Sequence, residues 1–406
     1  MEEEKAIVVL VAIAIVITAG LAGLVILNHE RNPYPFHPPG NLERFNFPEE
    51  MELNQTILES LEAAGSYLIN HIQESGKWDY EYDPETDSNL GGYNLLRHAG
   101  TTYSLALIFK YTRDPDFYNG TISTLNYLLS RYMVMGEIDG KEVAYMVSNG
   151  LSKLGGAALT VLALVEVERM DPLAQYEKEL DRLGEFMLQM QKEDGSFQCF
   201  YLDREDEHSN YYPGEALLAI ARLYDHTQDN KYLTALESGF EYYNPYFGTG
   251  YTSYSPWGTE AMVYTYEWLK EDSYIDHCFA TAESCRAGQN LPDHYEDPRL
   301  IGGWGSNPHA SDASRVEAVV DSYLLAKRYN FTVQEVKYRT SMDLCASFLM
   351  ELQFNEEESL AYPDPADVFG GTPLSYSEPK VRIDQVQHAV VVLVKVMVYQ
   401  TSELNI

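Results

Sequence analysis

Residues that could transfer protons occur near the starts of several segments with helical periodicity. Imidazole and carboxylate side chains act as general acids and bases when they lie within hydrogen-bond reach of a substrate. His98 or His388, or a tyrosine, could exchange the proton on a carbon beside a carboxylate. The pair Glu215 and Glu260 could instead hydrolyse a glycosidic bond. Asp384 and His388 are four residues apart, so a helix would place them on one face. The candidate catalytic residues are His98, His388, Glu215, Glu260 and Asp384.

Arginine and aromatic side chains in the same regions are suited to binding a substrate. An arginine guanidinium can hold a carboxylate through two parallel hydrogen bonds. Tyrosine and tryptophan have flat apolar faces against which a sugar ring can lie. Together these residues predict a site for a glycan or another anionic small molecule. The candidate binding residues are Arg97, Arg315, Arg382, Tyr103, Tyr212, Trp78 and Trp304.

Most of these candidates also have a purely structural interpretation. His98 can be an ordinary core or capping histidine. The two candidate glutamates can be first-turn carboxylates that the helix dipole favours, and the two tryptophans can pack loops onto the helices. The residues that can form plain ion pairs are Asp384 with His388, and Arg315 with Glu317.

The elements that must position these residues are helices. Twelve segments show helical spacing of apolar residues, as at Leu61, Ala64, Leu68 and Ile72. Very short links pair ten of them into antiparallel hairpins, and a sixth pair forms if the first helix packs against the last. An Asp-Gly turn predicts one β-hairpin over 136–149. The predicted helices are 51–74, 93–113, 115–135, 152–170, 172–192, 211–227, 230–245, 257–270, 272–288, 312–329, 332–354 and 382–401.

Short motifs resemble sequences of known helical toroids. Residues 211–219 (YYPGEALLA) with 222–224 (RLY) resemble inner-helix starts of sugar-active toroids, and 191–197 (QKEDGSF) is similar to a terpene-cyclase loop. The chain thus resembles the (α/α)6-toroid superfamily, chiefly six-hairpin glycosidases and glucuronyl C5-epimerase relatives, with weaker similarity to terpene-cyclase-type toroids. The resemblance implies an all-α fold of about twelve helices and activity on carbohydrate. The sequence lacks the D-x-D-D motif and a Cys/Cys-His zinc set, so cyclase chemistries are disfavoured.

A toroid of this kind would bring the candidates together. Its inner helices would be those that begin near 93, 152, 211, 257, 312 and 382, with their N-terminal ends around one mouth. Free backbone N–H groups at helix N-termini favour anionic ligands. We therefore expect the candidate residues to converge at this mouth.

The N-terminal region predicts a membrane anchor. Residues 6–27 are uncharged and overwhelmingly apolar, and about 22 residues of helix span about 33 Å, enough for a bilayer core. We therefore expect a tail at 1–5, a transmembrane helix at 6–27, a Pro- and Asn-rich tether at 28–50 and the toroid domain at 51–406. N-x-S/T sequons at Asn54, Asn119 and Asn330 favour an extracytoplasmic domain.

The composition excludes some partners. Sixty-two acidic and 28 basic residues give a net charge of −34, so the surface would repel nucleic acid. The four cysteines form no C-x-x-C pair, and we expect them to be buried and unreactive. No cofactor is required by the sequence. Loop carboxylates such as Asp83, Glu85 and Asp87 are compatible with calcium, although no EF-hand pattern occurs.

Three functions are consistent with these patterns. The first is a membrane-anchored, extracytoplasmic epimerase, lyase or hydrolase that acts on a uronate-containing surface glycan. The second is a non-catalytic binding or scaffold toroid at the cell surface, which predicts that the arginines and histidines neutralise one another without an open pocket. The third is an isoprenoid- or lipid-active toroid, which would need an apolar cavity.

Overall fold

A computed structural model describes residues 44–46, 54–202, 210–247 and 250–401. Within these ranges the chain forms twelve helices of three turns or more, in close agreement with the twelve predicted segments. Their bounds are α1 Gln55–Asn70, α2 Leu95–Thr112, α3 Pro115–Tyr132, α4 Leu154–Met170, α5 Glu177–Gln189, α6 Tyr212–Thr227, α7 Asn230–Phe247, α8 Ser255–Leu269, α9 Asp272–Arg286, α10 Ala313–Arg328, α11 Thr332–Leu352 and α12 Ile383–Thr401.

The helices form two concentric rings. The even-numbered helices make the inner ring, in which each packs against the next and α12 packs against α2. The odd-numbered helices lie outside them, and α1 packs against α12 as well as α2. The predicted closure of the ring by the first and last helices is confirmed. Inner helices touch neighbours on all sides, which is why nearly every residue of α4 is apolar and buried.

Short strands build the rim of the barrel. One sheet has the order β2–β1–β7, and the other has the order β3–β4–β5–β6. The predicted hairpin is β3–β4, with Asp139 and Gly140 at positive φ in its turn. The bounds are β1 Glu81–Asp83, β2 Ser88–Asn89, β3 Met133–Ile138, β4 Lys141–Ser148, β5 Leu151–Lys153, β6 Phe200–Tyr201 and β7 Val381–Arg382.

A glycine recurs where the chain leaves an outer helix. In each case φ lies between +80° and +94°, and an added Cβ would collide with a backbone carbonyl of an outer helix. Only glycine tolerates both the positive φ and this close approach. The repeated glycine therefore marks the return of the chain from the outer to the inner ring. The four positions are Gly76, Gly195, Gly302 and Gly370.

The predicted membrane helix at 6–27 lies outside the described residues. Among the helices that the structure does describe, none combines the length and the apolar character needed to cross a bilayer. The four cysteines are buried and form no disulfide, which confirms the expectation from their spacing.

Candidate active site

A cavity of about 500 Å³ opens at the N-terminal ends of the inner helices. Its walls come from α2, α4, α6, α8, α10 and α12, so every inner helix contributes. Seven of the twelve candidate residues predicted from the sequence line this cavity. They are Arg97, Tyr212, Glu215, Arg315, Arg382, Asp384 and His388.

His388 and Glu317 form a buried pair in the wall of the cavity. Nδ1 of His388 lies 2.7 Å from Oε1 of Glu317, whose side chain is almost fully buried. Burial alone would lower the pKa of His388, but the Glu317 carboxylate and its hydrogen bond raise this pKa above the ordinary value. The Glu317 carboxylate, from the neighbouring helix, therefore orients the imidazole and favours its protonated form.

Glu215 reaches the same cavity from the first turn of α6. It is 4% exposed, and its Oε2 accepts no hydrogen bond from the described part of the chain. Burial raises the pKa of Glu215 to about 8, although His388 and Lys153 each pull it down. Glu215 is consequently a neutral carboxylic acid at pH 7. A carboxyl group of this kind can donate a proton below pH 8 and accept one above it.

Gly155 makes room for the Glu215 carboxyl group. A Cβ at position 155 would collide with Oε2 of Glu215 and would lie 2.7 Å from the Tyr212 ring. The glycine stands in the first turn of α4, beside α6. The close approach of these two helices therefore places Glu215 against backbone rather than against a side chain.

Asp384 joins two of the arginines at the mouth. It accepts hydrogen bonds from Nε and Nη2 of Arg382 at 2.6 and 3.1 Å, and Nε of Arg97 lies 3.0 Å away. The second pairing partner of Arg97 is the Tyr80 hydroxyl. Strand β7 pairs with β1 and so holds Arg382 at the rim. Asp384 is thus committed to two guanidinium groups, which leaves this cluster with a net positive charge.

Arg315 presents the least engaged guanidinium in the cavity. It stacks 4.3 Å from the ring centroid of Tyr251 and 5.7 Å from that of Trp304. Its nearest carboxylate is Asp312, at 3.7 Å, which is too long for a hydrogen bond. The predicted pair of Arg315 with Glu317 is wrong, because Glu317 turns instead to His388. Two aromatic faces therefore hold this cation in place and leave its N–H groups for a ligand.

Aromatic rings border the cavity. Tyr211, at the N-terminus of α6, is 56% exposed, which is unusual for a tyrosine in a folded chain. Tyr212 and Trp257 also line the cavity, and the Trp257 ring lies 6.2 Å from the His388 imidazole. The arrangement supplies apolar ring faces beside charged groups.

The structure places two candidates away from the mouth cavity, on the outer side of α2. His98 is fully buried, with Nε2 3.0 Å from the Thr124 carbonyl and the ring stacked on Tyr127. Burial lowers the pKa of His98 to about 3, so the imidazole is neutral. Trp78 is buried against His98 and lies 3.4 Å from the Thr102 hydroxyl. The expectation that both face the mouth is wrong.

The other three candidates lie near the cavity without lining it, or deeper in the barrel. Trp304 donates to the Ala287 carbonyl and supports Arg315 from behind. Glu260 pairs with Lys395, and with Tyr103 it lines a separate cavity towards the opposite end. Glu260 lies five residues after the start of α8, and Tyr103 lies eight residues after the start of α2. Both are too deep in the barrel to reach the mouth cavity.

Two features of the site are not among the candidates that the sequence predicts, namely the orienting role of Glu317 and the exposed ring of Tyr211. The spacing of four residues between Glu317 and Asp321 indicates a polar inner face of α10, but it does not reveal the partner of Glu317. Tyr211 lies within the YYPGEALLA motif, from which no role for its ring follows. In the described ranges, no group of three His, Cys, Asp or Glu side chains is placed to hold a metal ion.

Solved structures share this architecture, although neither a protein-family model nor a curated protein matches the sequence. An α-1,6-mannanase of glycoside hydrolase family 76 from a Salegentibacter species has a TM-score of 0.59 at 14% identity, covering 84% of this chain and 99% of the mannanase. A D-mannose isomerase gives 0.59 at 13%, with 85% and 97% covered. Cellobiose 2-epimerase from Bacillus thermoamylovorans gives 0.58 at 12%, with 84% and 99% covered.

The chain is an (α/α)6 toroid. The resemblance drawn from its short motifs is therefore confirmed for the fold. At these identities the similarity extends to the fold alone. One of the solved mannanase structures is an inactive variant in which two consecutive aspartates are replaced, bound to alpha-1,6-mannotetrose. The present toroid has no two consecutive aspartates anywhere in its sequence.

Proposed function

We propose that this toroid is a carbohydrate-active enzyme that moves a proton on a uronate unit of a glycan, as an epimerase or lyase. The observation that carries the proposal is the placement of the His388–Glu317 pair and the neutral carboxyl of Glu215 in one cavity with three arginines. Two groups that can exchange protons, together with cations that can hold a carboxylate, are what proton abstraction beside a carboxylate requires.

The roles follow from the two protonation equilibria. Glu317 raises the pKa of His388 and favours the protonated imidazole, which suits His388 to the role of proton donor. Glu215 loses its proton near pH 8, so it is the base in mildly alkaline solution. Glu215 would remove the proton from the carbon beside the carboxylate, and the electron pair of that C–H bond would pass into the carboxylate as an enolate. A proton from His388 on the opposite face would complete an epimerisation, whereas loss of the neighbouring glycosidic oxygen would complete a lyase reaction.

The charges in the cavity support an anionic substrate. The Asp384 cluster has two arginines for one carboxylate. The carboxylate nearest to Arg315 is that of Asp312, 3.7 Å away. In a chain of net charge −34 this is a locally cationic surface. A uronate carboxylate would neutralise it with paired N–H donors. The exposed Tyr211 ring would support the face of the sugar.

Hydrolysis is the second candidate because a protonated carboxyl group with a raised pKa is the general acid that glycosidases use. Glu215 has this property. The related fold in which hydrolysis depends on consecutive aspartates offers no counterpart here, since this sequence lacks such a pair. We therefore place proton transfer first and hydrolysis second.

The test is incubation of the purified chain with glucuronate- and mannuronate-containing oligosaccharides in deuterated water. Deuterium at the carbon beside the carboxylate, without chain cleavage, supports an epimerase. Cleavage with an unsaturated product supports a lyase, and cleavage with a new reducing end and no deuterium supports hydrolysis. If the Glu215→Gln variant exchanges deuterium as fast as the native chain, the assigned base is wrong.

Two non-enzymatic or lipid-related alternatives receive less support from the cavity. A scaffold toroid was expected to have its arginines and histidines mutually neutralised without an open pocket, yet the mouth cavity is about 500 Å³. A lipid-active toroid would need an apolar cavity, yet arginines and carboxylates line this one. Binding of uronate oligosaccharides without any turnover would restore the scaffold alternative.

We also propose that residues 6–27 anchor the toroid in the cell membrane with the cavity outside the cytoplasm. The support is the uncharged apolar sequence of that segment and the three sequons. Fractionation of cells that express the full chain, followed by protease treatment of intact cells, tests both statements. A chain that remains in the soluble fraction, or that resists the protease, contradicts them.

A further inference from the structure

The barrel contains a second cavity that the proposed reaction does not use. Its volume is about 230 Å³, and it lies towards the C-terminal ends of the inner helices, opposite the mouth. Its walls come from α2, α4, α6, α8 and α12. A polar cavity inside a helical barrel needs an explanation, because close-packed apolar side chains are the ordinary filling of such a core.

On one side of this cavity two basic side chains share one carboxylate. Glu166 accepts a hydrogen bond from Lys110 at 3.1 Å and forms an ion pair with Arg222. Arg222 also donates to the hydroxyl of Tyr264. The Glu166 and Arg222 side chains are at least nine-tenths buried. The ion pairs are therefore parts of a fixed wall rather than flexible surface groups.

On the opposite side two carboxylates share one lysine. Lys395 donates to Glu260 at 2.7 Å and to Asp321 at 2.9 Å, all within the buried interior. Arg169, at the edge of the cavity, pairs with Asp225. The two unequal sides balance, so that four basic side chains meet four carboxylates around the whole cavity. A ligand with its own net charge would disturb this balance and would lose its hydration on entry.

Two tyrosine hydroxyls remain without partners in the described residues. Tyr103 is 4% exposed and lines the cavity, and its hydroxyl makes no hydrogen bond there. Tyr399 lines the same space with its hydroxyl equally unpaired. Tyr399 is half-buried, and neither hydroxyl belongs to the fully buried polar atoms that lack a partner, so both are open to the space of the cavity. An occupant with several hydrogen-bonding groups of its own could pair with both.

We propose that this second cavity binds one neutral sugar ring. Such a ligand carries no net charge, offers hydroxyl groups that both donate and accept, and has apolar C–H faces that can lie on tyrosine rings. The cavity is smaller than the roughly 300–1,000 Å³ of typical ligand sites, so it would admit a single ring rather than a chain. The inference does not depend on the reaction proposed at the mouth.

Methyl-group NMR can test this site separately from the mouth. Leu107, Val394 and Val398 line the second cavity, whereas Leu96 and Leu159 line the mouth. The probes are D-mannose as a neutral hexose and D-glucuronate as an anionic one. We expect D-mannose to shift the first three methyl signals saturably, and D-glucuronate to shift only the Leu96 and Leu159 signals.

Substitutions separate a ligand site from a water-filled space. Tyr103→Phe removes one hydroxyl and should weaken mannose binding about fivefold, as expected for the loss of one hydrogen bond. Arg299→Met, at an exposed position outside both cavities, should leave it unchanged. If Tyr103→Phe fails to fold, Tyr399→Phe provides the same test. Methyl shifts that do not saturate, that occur only at the mouth, or that D-glucuronate produces equally well in the second cavity would overturn the proposal.

Discussion

The imidazole of His388 lies 2.7 Å from the Glu317 carboxylate, and Glu317 stands one helical turn before Asp321, which holds Lys395 at 2.9 Å. These residues form a polar strip along facing sides of α10 and α12, in which Glu317, Asp321 and Lys395 are buried and His388 is half-buried. A carboxylate in such surroundings needs a cation, since an unpaired buried charge is strongly unfavourable. His388 and Lys395 therefore have equivalent roles at two levels of the barrel, where His388 lines the mouth cavity and Lys395 lines the second cavity.

The first prediction concerns the Glu317 carboxylate. Glu317→Gln should lower the pKa of His388, because the substitution removes the charge that raises it and leaves the burial that lowers it. The pKa can be measured by NMR titration of the imidazole carbon signals. Glu137→Gln, at an exposed position on the rim hairpin, is the matched control and should leave the pKa of His388 unchanged. An unaltered titration of His388 in Glu317→Gln would contradict the pairing.

The second prediction concerns pH and stability. Glu215 has a pKa of about 8 in the folded chain and an ordinary value of 4.5. Above pH 4.5 the unfolded chain releases this proton while the folded chain retains it, so the free energy of unfolding falls between pH 4.5 and 8. Glu215→Gln should remove that part of the decline, as followed by denaturant unfolding at several pH values. A decline as steep in the variant as in the native chain would show that Glu215 is not a buried acid.

The third prediction concerns the cation that faces the ligand. Arg315→Met should weaken binding of a uronate about tenfold to a hundredfold, since a hydrogen bond to a charged group contributes about 1.5–3 kcal/mol. Calorimetric titration with glucuronate measures the effect. Arg299→Met is the control, because Arg299 is paired with Asp297 at an exposed position. Equal affinities in Arg315→Met and Arg299→Met would argue against recognition of the carboxylate by Arg315.

The fourth prediction concerns the close approach of α4 and α6. Gly155→Ala should displace the Glu215 carboxyl group, because the new methyl group would occupy its position. We expect loss of the proposed activity and a pKa of Glu215 closer to 4.5, with the fold retained. Gly250→Ala, where an added Cβ meets no atom within 4 Å, should change neither property. An active Gly155→Ala enzyme would mean that the position of Glu215 is not critical.

The helices were predictable because apolar periodicity and short links are local signals. The directions of individual side chains were not. Arg97 and His98 are consecutive, and consecutive residues on a helix differ in direction by about 100°. Arg97 consequently faces the cavity while His98 faces α3. Small errors in helix phase are enough to exchange such roles.

Depth along a helix was the second source of error. Tyr103 and Glu260 were expected near the helix starts, but at 1.5 Å per residue they lie about 12 and 7.5 Å into the barrel. Glu317 was missed for a different reason, since its partner His388 is 71 residues away and the pairing depends on how α10 packs against α12. Local sequence patterns do not reveal a contact between residues so far apart in the chain.

The packing of α1 against α12 determines from which end of the ring the start of α1 and the end of α12 emerge. Since α1 ends and α12 begins at the rim, the start of α1 and the end of α12 emerge together from the base of the ring. A tether that precedes α1 would therefore be attached at the base of the ring. The mouth cavity would then face away from the attachment point, towards a polymeric substrate. The second cavity would then face the attachment point.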